Sequence, residues 1–118
     1  MKLGRASAAA LMVSGLAGVL IPEKVAAALG LTPSPGRGIA EVRAGLGGTY
    51  AALGAWALLS RRRAAHTAVG VMWLGAATAR LSALVVDDPE PDNTYWAYLA
   101  AELGFGAAAL ISGRRRTS

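Results

Sequence analysis

The chain of 118 residues has no cysteine, so it can form neither a disulfide nor a thiolate metal centre. Its single histidine, His66, excludes a multi-histidine site. No metal and no cofactor is expected on these grounds. Charge is scarce: Asp, Glu, Lys and Arg make up 16% of the chain, against roughly 25% in soluble domains. A chain this poor in charge would struggle to cover its own surface in water. What replaces the charge is apolar, 54% of residues with a mean hydropathy of +0.43. Acidic residues are fewer than basic ones, seven against twelve, leaving a net charge of +5. Such an excess could serve a nucleic acid. The basic residues, however, mostly stand in short clusters at the ends of apolar runs, so the bilayer is the expected partner and no nucleic acid is.

Four apolar segments run from about residues 6–21, 39–60, 64–86 and 94–112. The last three are long enough for a hydrocarbon core of about 30 Å at about 1.5 Å per residue. The first is marginal and needs either extension past Pro22 or a thinned bilayer. Ala, Leu and Gly dominate without period-2 alternation, which argues against strands. The expected fold is therefore all-α, a bundle of four transmembrane helices with short loops forming one domain over 1–118. Residues 22–30 predict a short interfacial helix after the first span, with Pro22 in its first turn and Gly30 as its stop. The loops are Thr32 to Gly38, rich in Pro and Gly, the basic turn Ser60-Arg61-Arg62-Arg63, and the acidic stretch Asp87 to Asn93.

Arginine placement predicts the threading. Lys2 and Arg5 precede the first span, Arg61 to Arg63 join the second and third, and Arg114 to Arg116 follow the fourth. The positive-inside rule puts all three sites, and both termini, in the cytoplasm. The corresponding location is a cell membrane that the chain crosses several times. A second reading of the N-terminus is a signal peptide, with a basic start, an apolar stretch and Ala26-Ala27-Ala28 as a small-residue cleavage site. The Pro22-Glu23-Lys24 interruption weakens it.

Four charges fall inside apolar sequence: Glu41 and Arg43 in the second span, Arg80 in the third and Glu102 in the fourth. A charge at the bilayer centre costs roughly 2.5–3.5 kcal/mol on insertion scales, so such residues either pair to fix helix register or form a functional site. The threading places Arg43 roughly 6 Å, Arg80 roughly 9 Å and Glu102 roughly 12 Å from the outer boundary. Two acids and two bases then share one layer, with Arg80–Glu102 the expected pair and Glu41 and Arg43 completing the cluster or reaching the interface. Tyr50, Ser82 and Tyr98 could extend it, with Thr49, Thr78 and Tyr95 nearby; Tyr95 and Trp96 also read as an interfacial belt. His66 belongs at the other end. Small residues at one-turn spacing, Ala44-Gly48-Ala52, Ala100-Gly104-Ala108 and Ala10-Ser14-Gly18, predict close packing within the bundle.

Several elements together, Pro22-Glu23 with Leu29-Gly30-Leu31, Glu41-Val42-Arg43-Ala44 leading to Gly47-Gly48, Arg80-Leu81-Ser82 and Glu102-Leu103, resemble a bacterial family of small four-helix membrane proteins known only as a domain of unknown function. Ala79 stands before Arg80 where the pattern suggests Gly. The resemblance implies a four-span bundle and brings no activity. A looser likeness to four-span scaffolds that tether sterol-synthesis enzymes is an analogy of architecture. The first functional expectation is an accessory subunit packed with a larger membrane complex or another copy of itself. The alternative is a small-ligand or lipid binder using the charged cluster, and an intramembrane enzyme with Glu102 or Glu41 as acid/base ranks below both.

Overall fold

Helix is the only regular structure among the described residues, which in this computed structural model are 2–60, 62–87 and 90–114. Arg61 of the basic turn, Asp88 and Pro89 of the acidic loop, and Arg115 and Arg116 of the last basic cluster lie outside them. The first helix, α1, spans Lys2–Leu20. It begins earlier than residue 6 because its basic residues join the helix: Arg5 donates to the Leu58 carbonyl at 3.4 Å. The short helix α2, Pro22–Ala28, carries Pro22 in its first turn and is followed by Gly30 at φ +75°. The expected second span is one uninterrupted helical run of three parts, α3 (Arg37–Glu41), a π-helical segment (Val42–Gly48) and α4 (Thr49–Ser60). After the basic turn come α5 (Arg63–Val86) and, beyond the acidic loop, α6 (Asn93–Arg114).

Three helices, α1, α5 and α6, are long and apolar enough by themselves to cross a membrane, where four were expected. The difference lies in the π segment, which divides residues 37–60 into shorter pieces. Large apolar side chains face outward on α1, α4 and α5, with Leu20 73%, Leu59 83% and Val85 87% exposed. Such a surface is suited to lipid rather than to water.

The chain forms a flattened slab of 46 × 31 × 18 Å. Its order, read from the dominant contacts, is α4–α1–α6–α5, with α4 and α5 touching sparingly. Ser7, Ala8 and Leu11 of the central helix α1 are fully buried, and the Ser7 hydroxyl donates to the Phe105 carbonyl at 2.8 Å, tying α1 to α6. Glycine sets the α1–α4 seam: a Cβ on Gly54 would stand 2.5 Å from the Met12 backbone nitrogen, and one on Gly47 2.7 Å from that of Val19. The α5–α6 seam is built likewise, with Gly70 against the Leu110 backbone.

Two of the three expected small-residue stripes are not the packed faces. Ala44 and Ala52 are exposed, and a Cβ on Gly48 would find open room; Gly47, Gly54 and Ala57 are buried instead. On α6 the buried set is Leu99, Glu102, Gly106, Ala109 and Ser112, while Ala100 and Gly104 face outward. On the third stripe, Gly18 packs against the backbone of Leu46 and Gly47.

Candidate functional site

The site is built where α5 and α6 leave the acidic loop. Asp92 caps α6, its carboxylate accepting the Tyr95 backbone N–H at 2.9 Å, which satisfies one of the free donors of the first turn. Tyr95, Tyr98 and Glu102 follow at helical spacing and share one face. Trp73, Ala77 and Arg80 do the same on α5, directly opposite.

Across this seam Arg80 and Glu102 form a two-pronged ion pair. Nε reaches Oε1 at 2.9 Å and Nη2 reaches Oε2 at 2.8 Å. Glu102 is deeply buried, its side chain 5% exposed, while that of Arg80 is 21% exposed. Parallel hydrogen bonds of this kind are the strongest arrangement available to the two ions, and without it the desolvation of both would exceed their attraction. The Tyr95 hydroxyl donates to the Arg80 carbonyl at 2.6 Å. The guanidinium carbon lies 5.2 Å from the Tyr95 ring centre and 5.4 Å from that of Tyr98, within cation–π range. Arg80 is thus held by a carboxylate and two aromatic faces.

This pair borders two hollows. An inner cavity of about 280 Å³ lies between the α1–α4 and α5–α6 pairs, beneath the end of α2. Arg80, Glu102, Tyr50, Tyr98 and Ser14 are its polar lining; Leu11, Leu29, Leu46, Met72, Trp73 and Phe105 make much of its apolar wall. A second hollow of about 320 Å³ lies toward the acidic loop, lined by residues 27–30, Glu90, Pro91, Asp92 and Tyr95. Arg80, Tyr98 and Leu29 border both. Trp73 packs against Phe105 with ring centres 5.7 Å apart, and its indole N–H is buried with no acceptor among the described residues.

The other two charges are elsewhere. Glu41 accepts from Arg37 at 2.8 Å, one turn back on its own helix, and both side chains are largely exposed. Arg43 donates to the Val19 carbonyl at the end of α1. The single layer of four charges is therefore a pair plus two separate contacts: the charge content of each apolar run was legible, rotation about its axis was not. Ser82 is exposed and lines neither hollow. It lies two residues, about 200° of helix rotation, from Arg80. Thr49 and Thr78 donate to the carbonyls of Ala44 and Leu74 on their own helical runs. His66 sits against Gly4 and Ser112 at the other end of the bundle. Trp73 escaped the sequence reading although a signal was there: it precedes Arg80 by seven residues and so shares its face. Among the described residues no three His, Asp or Glu side chains gather in a way that could hold a metal ion.

Comparison with known proteins shows that the chain belongs to the family described as a domain of unknown function, DUF4345, which matches residues 3–112. No curated protein and no solved structure matches it.

Proposed function

We propose that this family member crosses the membrane four times and holds a small, mainly apolar molecule in the cavity beside Arg80 and Glu102. The carrying observation is that the ion pair edges a hollow of about 280 Å³ instead of being sealed by packed side chains. A bundle that used the pair only to set helix register would gain by filling that space, since packing to native density is the norm. Acid/base chemistry at Glu102 is less well supported, because both of its oxygens are engaged by the guanidinium. The proposed fourth crossing is residues 37–60. Val42 and Thr49, at the two joints of that run, both have right-handed helical angles. The run is roughly 35 Å long at about 1.5 Å per residue. Lys2, Arg5, Arg62, Arg63 and Arg114 then lie on one side, supporting cytoplasmic termini in a bacterial cell membrane. The full burial of Ser7, Ala8 and Leu11 supports retention of α1, because a cleaved α1 would take the bundle's centre with it.

The test is to purify the protein in mild detergent and identify what is extracted with it by mass spectrometry. Ala76 lines the cavity, and Ala76→Leu would occupy part of it. The wild type should carry a small apolar compound that the folded variant loses. Identical extracts from both would contradict the reading. A second reading, an accessory subunit of a larger complex or oligomer, is favoured by Gly45 and Gly104. Open space lies where their side chains would be, so another helix could approach closely there.

A further inference from the structure

Each of four helices brings one accessible, unpartnered polar group to the wall of the inner cavity: Ser14 on α1, Tyr50 on α4, Arg80 on α5 and Tyr98 on α6. Arg80 spends Nε and Nη2 on Glu102, which leaves Nη1 without a partner among the described residues. The hydroxyls of Ser14, Tyr50 and Tyr98 likewise make no hydrogen bond there. None of the four groups is sealed in protein. Among the described residues, the unpartnered side-chain atoms with no accessible surface belong to His66 and Trp73. Ser14 and Tyr50 border the inner cavity but not the outer hollow, while Arg80 and Tyr98 stand in the wall between the two. The Tyr50 phenol is close enough to feel the charges of both Glu102 and Arg80, so it faces the ion pair across the chamber.

This lining selects its guest by chemistry. Guanidinium nitrogen is a donor only and a hydroxyl either donates or accepts, so oxygen is the atom that all four groups can meet. The charges of Arg80 and Glu102 cancel. An ion entering the chamber would lose its hydration without a free counter-charge, which costs heavily. An apolar cavity of about 150 Å³ accommodates benzene. At about 280 Å³ this one has room for a ring with a substituent at each end.

Resting on the reading of the cavity as a binding site, we infer that its ligand is an uncharged, lipid-soluble ring compound with oxygen groups at opposite ends. One oxygen meets the Ser14 and Tyr50 hydroxyls; the other meets Arg80 Nη1 and the Tyr98 hydroxyl. The guest thereby bridges the α1–α4 pair to the α5–α6 pair.

Three probes of one shape separate the two ends: para-diacetylbenzene, para-ethylacetophenone and para-diethylbenzene, with two, one and no oxygens. The anion para-acetylbenzoate and the cation para-acetylphenyltrimethylammonium test charge. Each is titrated calorimetrically into the full chain in lipid nanodiscs, with protein-free nanodiscs subtracted and affinity referred to the probe concentration in the lipid. The diketone should bind about threefold to tenfold more tightly than the monoketone, and the monoketone than the hydrocarbon by a similar factor, the usual worth of one hydrogen bond. Both ions should bind more weakly than the diketone. Ser14→Ala with Tyr50→Phe should bring the diketone down to the monoketone's affinity and leave the hydrocarbon unchanged. The monoketone keeps its own advantage there by turning its oxygen to Arg80. Arg80→Met, Glu102→Leu and Tyr98→Phe together should remove one step in the same way, with the remaining step supplied by Tyr50. Equal affinity for diketone and monoketone, or a diketone advantage that survives the Ser14–Tyr50 replacement, would overturn the two-ended contact and leave the cavity a binding site. Tightest binding of either ion would overturn the neutral-ligand inference. If no probe binds beyond bare lipid, or if Ala76→Leu, which occupies part of the cavity, leaves every affinity unchanged, the binding reading itself falls.

Discussion

Glu102→Ala should destabilise the folded chain by about 3–5 kcal/mol, the usual consequence of leaving one buried ion without its partner. Arg80→Ala should cost less, because the Arg80 side chain retains 21% exposure, against 5% for Glu102. The double replacement Arg80→Met with Glu102→Leu should recover most of the loss, since apolar substitutes for a buried ion pair are often neutral or stabilising by about 1–4 kcal/mol. Arg37→Ala or Glu41→Ala, which break an exposed pair one helical turn apart, should change stability by less than about 0.5 kcal/mol. Reversible unfolding in mixed micelles measures all four. The same double variant also separates the two roles of the pair. If it folds and no longer retains the compound extracted with the wild type, the charges serve the cavity; if it folds and retains it, they serve only the helices.

The second large effect is expected at the glycine seams. Gly54→Ala would place a Cβ 2.5 Å from the Met12 backbone nitrogen, and a backbone atom cannot rotate away as a side chain tip can. Separating α1 from α4 there should cost at least the 1–3 kcal/mol typical of overpacking, on the order of 3 kcal/mol. Folded yield and melting temperature in detergent report it. Gly104→Ala, where nothing lies within 4 Å of the added atom, should be neutral or slightly stabilising through helix propensity. Equal losses at the two positions would mean that α1 and α4 do not approach as closely as described.

The contrast between these two glycines shows where the sequence was legible. Segment ends were readable because Pro, Gly and charge mark them: α2 begins at Pro22, α4 ends at Ser60 and α5 ends at Val86 before the acidic loop. The Arg80–Glu102 contact was readable because two opposite charges inside apolar runs have few other partners. Rotation about each helix was harder. Gly104 lies about 200° from Glu102 at about 100° per residue, so an inward Glu102 already implied an outward Gly104, and the small-residue spacing alone hid that conflict. In the second span the packed face moved for another reason. The π segment Val42–Gly48 holds more residues per turn than an α-helix, so a constant 3.6-residue period misassigns the face beyond it. Its three glycines, Gly45, Gly47 and Gly48, were the available hint. Glu41 was claimed by Arg37 one turn away, a local pairing that spacing makes readable but that depth in the membrane obscured. The cavity had no single sequence signature, because its wall comes from α1, α2, the π segment, α4, α5 and α6 together.

An experimental density map of the protein purified from its native membrane, at a resolution that shows side chains, tests the central claim most directly. The expected result is continuous non-protein density in the cavity, touching the Arg80–Glu102 pair. An empty or collapsed cavity would contradict it.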